Sequence, residues 1–128
     1  MVSDSGGVLD WAESHPGSTG VAWHSLTNVA YLVKGDPRRF LRELLEFVIV
    51  PGTSTEAARH ALRLPVADLE DAFQTAAALE FGAEHMVTRN IKDYRRSPIP
   101  AITPRPIFEK AIVARRTHPY FLKSIMND

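Results

Sequence analysis

The sequence contains no cysteine, which excludes disulfide bonds and zinc sites built from thiolates. It also lacks any apolar run close to the roughly 20 residues that a membrane-spanning helix needs, and its start shows no signal-peptide pattern. We therefore expect a cytoplasmic protein with no membrane partner. The five histidines show no His-x-x-x-His spacing, and no nucleophile elbow or glycine-rich phosphate loop is present. A zinc hydrolase therefore has no support in the ligand spacing.

The chain has no net charge, but its charges are unevenly distributed. Residues 1–88 hold six Lys and Arg against twelve Asp and Glu, a net charge of −6. Residues 89–128 hold nine against three, a net charge of +6. Such asymmetry is typical of a surface for nucleic acid or for an acidic partner. It is equally typical of a dipolar fold whose two halves attract each other.

Short apolar segments alternate with helical patterns, as in an α/β protein. Helices are predicted at six places: 3–17, 25–35, 36–47, 54–64, 68–83 and 105–116. Strands are predicted at four places: 19–24, 47–52, 85–88 and 100–103. Trp11 and Trp23 occupy apolar positions, so we expect both in the core; the alternative for Trp23 is a platform on which a base stacks. Because buried strands alternate with helices, the pattern predicts a parallel sheet covered on both faces.

Carboxylates stand at two points where an α/β protein can place a site. Asp68 and Asp71 lie three residues apart at the start of the Ala-rich helix, so they share a face. Asn90 and Asp93 follow the strand 85–88, and their oxygens are ligands that hard cations such as Mg²⁺ or Mn²⁺ prefer. Two or more carboxylates from separate segments are how metal-dependent phosphodiesterases hold an ion.

Each of these residues also has a purely structural explanation. Asp68 is well placed to cap the helix, and a helix N-terminus stabilises negative charge in any case. Asn90 and Asp93 are residue types that turns favour. Asp71 is not needed as a cap and precedes an apolar pair. Its combination with Asn90 and Asp93 therefore favours a metal site over turn residues. The cations around it, Arg89, Lys92, Arg95 and Arg96, would attract a phosphodiester.

The stretch LEDAFQTAAALEFGAEHMVTRNIKDYRRSPIPAITPRPIFE, residues 69–109, resembles the C-terminal half of a PIN domain. The shared pattern is an acidic helix start, a small-residue helix, a Gly-Ala turn, a strand ending in Val-Thr-Arg-Asn, and then Asp-Tyr and Ser-Pro-x-Pro. A looser resemblance extends over residues 3–114. It implies a three-layer α/β/α fold with a central parallel sheet. It also implies a Mg²⁺- or Mn²⁺-dependent ribonuclease, commonly the toxin of a toxin–antitoxin pair.

The same resemblance assigns roles to residues. Asp71 and Asp93 stand at positions of metal-binding acids, Asn90 stands where members carry Asp or Asn, and Asp68 is an auxiliary ligand. Asn28 falls where many members carry Glu, and we group it with the RNA-binding residues. The expected domain spans 1–116, followed by a tail over 117–128.

The chain departs from the PIN pattern at its start, where the family's first strand and first catalytic acid are not found. Either the start lies downstream of that strand, or the protein lacks it. A sheet without this strand would have unpaired edges in its middle, which favours a homodimer. Two functions therefore stay open. The chain is a PIN ribonuclease with RNA and an antitoxin as partners, or it is a catalytically silent PIN-like module that binds RNA or a protein.

Overall fold

Five short apolar segments form one parallel sheet in the computed structural model, which describes residues 4–103 and 119–123. The strands are β1 (Thr19–Val21), β2 (Val48–Ile49), β3 (His85–Val87), β4 (Ala101–Ile102) and β5 (Tyr120–Leu122). Their order across the sheet is β2-β1-β5-β3-β4, and every pair is parallel. The predicted α/β fold with a central parallel sheet is confirmed.

In the part of the chain that the structure describes, five α-helices flank this sheet. They are α1 (Asp4–Ser14), α2 (Trp23–Leu32), α3 (Pro37–Leu44), α4 (Thr55–Arg63) and α5 (Leu69–Phe81). Local signals explain most of their ends. The side chains of Asp36, Ser54 and Asp68 accept hydrogen bonds from the first turns of α3, α4 and α5, as N-caps do. Gly82 ends α5 in the left-handed conformation, at φ 80°. The helix predicted over 105–116 lies outside the described residues.

Two separate apolar clusters lie on the two faces of the sheet, because successive strand residues point in opposite directions. On one face, Val21, Val87 and Leu122 pack with Trp11 of α1 and with the apolar sides of α2 and α3. On the other face, Met86 and Phe121 pack against the alanines of α5, and α4 packs against α5. The helices thus form a layer on each side of the sheet. Within the described ranges, no helix has the length and apolar character needed to cross a bilayer.

We expected unpaired strand edges in the middle of the sheet, but the strands there are paired. Strand β5, whose residues fall in the predicted C-terminal tail, lies between β1 and β3 and pairs with both. Phe121 is fully buried there and lies opposite Gly20 and Met86. An unpaired middle, which was the reason for expecting a homodimer, is therefore not found in the described sheet. The homodimer itself stays a prediction.

Two smaller predictions are corrected. The segment 19–24 is not a strand throughout, because α2 already begins at Trp23. Trp23 itself is 68% exposed and is not a core residue, whereas Trp11 is buried as predicted. Trp23 lines a groove on the surface instead.

Candidate functional site

The carboxyl ends of β3 and β5 and the N-terminus of α5 meet around an open pocket of about 590 Å³. From β1 the chain continues to β2 at one edge of the sheet, and from β3 it continues to β4 at the opposite edge. Strand β5 lies between β1 and β3, where the direction of these connections reverses, and ligands of open α/β sheets bind at such a point. Charged residues dominate the wall. The acids are Asp68, Glu70, Asp71 and Asp93, and the bases are Lys92, Arg95, Arg96 and Lys123.

Asp71 is the most buried of these charged residues, with 4% of its surface exposed. The hydroxyl of Tyr94, itself buried, donates a hydrogen bond of 2.9 Å to Asp71 Oδ1. Lys123 Nζ lies 3.7 Å from the same oxygen. Burial raises the pKa of Asp71, and the nearby Asp68 and Asp93 add to this, while Tyr94 and Lys123 act in the opposite direction. Burial also holds the pKa of Tyr94 far above its ordinary value, so its phenol stays a donor.

Asp68 is the N-cap of α5, because its Oδ1 accepts a 2.9 Å hydrogen bond from the backbone N–H of Asp71. The structural explanation for Asp68 is therefore confirmed, and the residue also lines the pocket. A short 3₁₀ turn, Ile91–Tyr94, follows β3 and places Asp93 on the pocket wall while it buries Tyr94. The structure thus brings Asp68, Asp71 and Asp93 to one pocket.

Three other predicted site residues lie elsewhere. Asn28 is exposed on α2 and does not line this pocket. Asn90 and Arg89 are exposed just after β3, and neither lines the wall. The backbone N–H of Asn90 donates to Thr88 Oγ1 at 3.1 Å, so Asn90 takes part in the turn that begins this loop.

Three residues that sequence reasoning did not select stand at or behind the site. Lys123 and Tyr94 contact Asp71, and Gln74, one turn further along α5, is buried with 1% of its surface exposed and contacts the backbone of Lys123. Gln74 Nε2 lies 3.0 Å from the carbonyl oxygen of Lys123, 3.1 Å from Ser25 Oγ and 2.9 Å from His24 Nε2. The sequence signals were the Asp-Tyr pair at 93–94 for Tyr94 and a polar Gln within an Ala-rich helix for Gln74, whereas no local pattern indicated Lys123.

The donor set was tested against the divalent ion that the sequence predicts. Among residues 4–103 and 119–123, no group of three or more His, Cys, Asp or Glu converges as a metal site. One oxygen of Asp71 already contacts Tyr94 and Lys123, and one oxygen of Asp68 caps the helix. These side chains do not fit a permanently resident ion. An ion that arrives with a phosphate needs fewer protein ligands, since Mg²⁺ is commonly held by one or two carboxylates plus substrate oxygens.

Comparisons of the chain with known protein families, with curated proteins and with solved structures gave no match. What is established is the α/β fold with its five-strand parallel sheet and this charged pocket at the carboxyl end of β5.

Proposed function

We propose that this chain is a PIN-like ribonuclease that hydrolyses RNA phosphodiester bonds with Mg²⁺ or Mn²⁺. The observation that carries the proposal is the convergence of Asp71 and Asp93, from two separate segments, on one open pocket that basic side chains also line. A phosphodiester needs such a combination. The cations attract the RNA backbone, and the carboxylates supply the negative oxygens that a hard metal requires.

Each residue has a stated role in this proposal. Asp71 and Asp93 would hold the ion, whose chemistry is to lower the pKa of a water and to neutralise charge on the phosphate. Tyr94 fixes the orientation of the Asp71 carboxylate through its hydrogen bond. Lys92, Arg95 and Arg96 bind RNA phosphates on the pocket wall. Asp68 orders the first turn of α5 by capping it, and Asn90 stays a predicted auxiliary ligand.

The resemblance to PIN domains extends the proposal beyond the site. It favours a toxin of a toxin–antitoxin pair that acts in the cytoplasm, with an antitoxin protein as partner and a homodimer as the assembly. These features rest on the residues 69–109 that carry the resemblance.

A second candidate is a catalytically silent module that binds RNA without cleaving it. The observation that favours it is the ammonium of Lys123, 3.7 Å from Asp71 Oδ1. A fixed positive charge at the carboxylate competes with a metal for the same oxygen. Such a pocket would still bind an RNA phosphate through its lysines and arginines.

The deciding experiment measures cleavage of a fluorescent single-stranded RNA with Mn²⁺, beside an EDTA control. We expect Asp71→Asn to reduce the rate by roughly 10–100-fold or more, since even outer ligands of metal sites have effects of this size. Glu70→Gln is the matched control, because Glu70 is exposed on the same wall, and its rate should stay near wild type.

Binding of the same RNA in EDTA separates the two candidates. Cleavage that needs both Mn²⁺ and Asp71 supports the ribonuclease. Binding without cleavage supports the silent module and rejects the ribonuclease. A folded protein that neither binds nor cleaves RNA contradicts both.

A further inference from the structure

A second cavity, of about 500 Å³, opens beside the charged pocket and has a different chemistry. Its walls include Trp23 at the start of α2 and Phe73 on α5, which are 68% and 37% exposed. Ala57 of α4 and Ala76 and Ala77 of α5 are buried and form its apolar base. We call this cavity the aromatic groove. An exposed tryptophan beside a second exposed ring is costly to leave in water, so this surface favours a ligand with an apolar face.

Polar groups in the aromatic groove are few and stand at its edge. The loop after β2 contributes Thr53 and Ser54, the start of α4 contributes Thr55, and α2 contributes the imidazole of His24. Mostly apolar walls with a few hydrogen-bonding groups, in a volume of this order, are typical of sites for small flat ligands. A nucleobase has this character, because its faces are apolar and its edges form hydrogen bonds.

The aromatic groove and the charged pocket are connected through one buried side chain. Gln74 contacts His24, which lines the groove, and the backbone carbonyl of Lys123, which lines the pocket. On α5, Asp71 lines the pocket and Phe73 lines the groove, and because residues two apart on a helix point to different sides, the two cavities open on different sides of α5. An occupant that reaches both must therefore carry negative charge for the pocket and a flat apolar group for the groove.

We propose that the aromatic groove binds an unpaired base of single-stranded RNA whose backbone lies in the charged pocket, with the base stacked on Trp23. This inference rests on the proposed function and names its substrate class. Single strands are favoured over duplexes because a paired base keeps its faces covered by its neighbours, whereas an unpaired base can be splayed out and stacked on an aromatic side chain.

The test uses the full chain in EDTA, so that no probe is cleaved, and measures the binding of two labelled probes by fluorescence anisotropy. One probe is a short oligoadenylate, and the other is an abasic ribose-phosphate oligomer of the same length and charge. Stacking on aromatic side chains contributes about 1–3 kcal/mol per base, so wild type should bind the first probe roughly tenfold more tightly. Trp23→Ala should remove this preference, and Trp23→Phe should retain part of it.

Tyr31→Ala is the matched control, because Tyr31 is an aromatic residue of the same helix, 89% exposed, that does not line the groove. It should keep the full preference for the oligoadenylate. Intrinsic fluorescence gives a second readout, since Trp11 is buried and stacked on His15 while Trp23 is open to a quenching base.

The outcomes separate this inference from the proposed function. Equal binding of the two probes by wild type keeps RNA binding and rejects the base site. A preference that survives in Trp23→Ala also rejects the base site. A decrease in Trp23 fluorescence as the protein concentration rises, with no RNA present, would show that a second copy of the chain occupies the groove. That result would overturn the inference. Binding of neither probe rejects the inference, and the cleavage assay with Mn²⁺ then decides the proposed function separately.

Discussion

The carboxyl group of Asp71 is held by residues from two other segments of the chain. Tyr94, in the turn after β3, donates a hydrogen bond to it, and Lys123, after β5, lies 3.7 Å from it. Asp68 fixes the backbone instead, because its side chain accepts a hydrogen bond from the N–H of Asp71. Burial disfavours the charged form of Asp71 more than Tyr94 and Lys123 together favour it, so its pKa lies above the ordinary value of 3.8. Carboxyl groups whose pKa is raised by burial are common at functional sites.

This raised pKa predicts how stability depends on pH. Between pH 3.8 and the raised pKa, the folded protein binds more protons at Asp71 than the unfolded chain does. The contribution of Asp71 to the free energy of unfolding should therefore decrease as pH rises through this window, and then become constant. Asp71→Asn removes this titrating group. The free energy of unfolding of the variant, relative to that of wild type, should therefore increase from about pH 4 upwards. Urea unfolding of both proteins at several pH values measures the difference.

Tyr94→Phe supplies the control for this titration. It removes the hydrogen bond that lowers the pKa of Asp71, so the pH window should extend further upwards. Parallel stability curves for wild type and Asp71→Asn would contradict a raised pKa.

At the scale of single elements, β1 and α5 are in close contact because β1 carries a glycine at its centre. A Cβ atom built on Gly20 would lie 2.8 Å from Phe121 Cδ1 and 2.9 Å from Phe81 Cγ. Both rings are packed on the α5 side of the sheet, so they have little freedom to move aside. The absence of a side chain at Gly20 thus allows α5, with Asp71 at its start, to lie against the strand ends.

Gly20→Ala should lower the free energy of unfolding by about 1–3 kcal/mol, as overpacked cores do. Chemical denaturation measures this loss. Gly52→Ala is the control, since a Cβ there meets nothing within 4 Å, and it should change stability little. If the two variants have equal stability, the close approach of β1 and α5 is wrong.

Local signals made some elements predictable and left others hidden. The cap at Asp68 and the stop at Gly82 predicted α5 correctly because both act within a few residues. Strand β5 has only three residues, and its partners β1 and β3 are distant in sequence, so no local pattern indicated it. Lys123 was missed for the same reason. Periodicity placed Trp23 on an apolar surface but cannot distinguish a groove from a core.

At the scale of the whole molecule, β5 joins two halves of the sheet that otherwise have no shared strand. Strands β1 and β2 lie on one side of it, and β3 and β4 on the other. Its side chains enter both clusters, with Tyr120 and Leu122 on one face and Phe121 on the opposite face. Hydrogen bonds from Tyr120 to Ser18 and from Lys123 to Val87 fix its register.

Phe121→Ala should therefore lower the free energy of unfolding by about 3–5 kcal/mol, the usual cost of removing a fully buried ring. Phe73→Ala removes the same group from a half-exposed position and should cost at most about 1.5 kcal/mol. Guanidinium unfolding monitored by circular dichroism compares them. Equal losses in the two variants would show that β5 does not occupy the centre of the sheet.

The central position of β5 also determines when the sheet can be completed during synthesis. About 100 residues separate β1 from β5, and ribosomes add roughly 5–20 residues per second, so β1 exists for about 5–20 s before its neighbour is made. Strand β1 has an unpaired edge throughout that time, and β3 has one from its own synthesis until β5 is made. Unpaired strand edges are surfaces on which chains can associate incorrectly. Contacts between such distant residues also slow folding. The segment that supplies Lys123 to the site therefore arrives after every other described strand, and until then the charged pocket lacks the cation that lies beside Asp71.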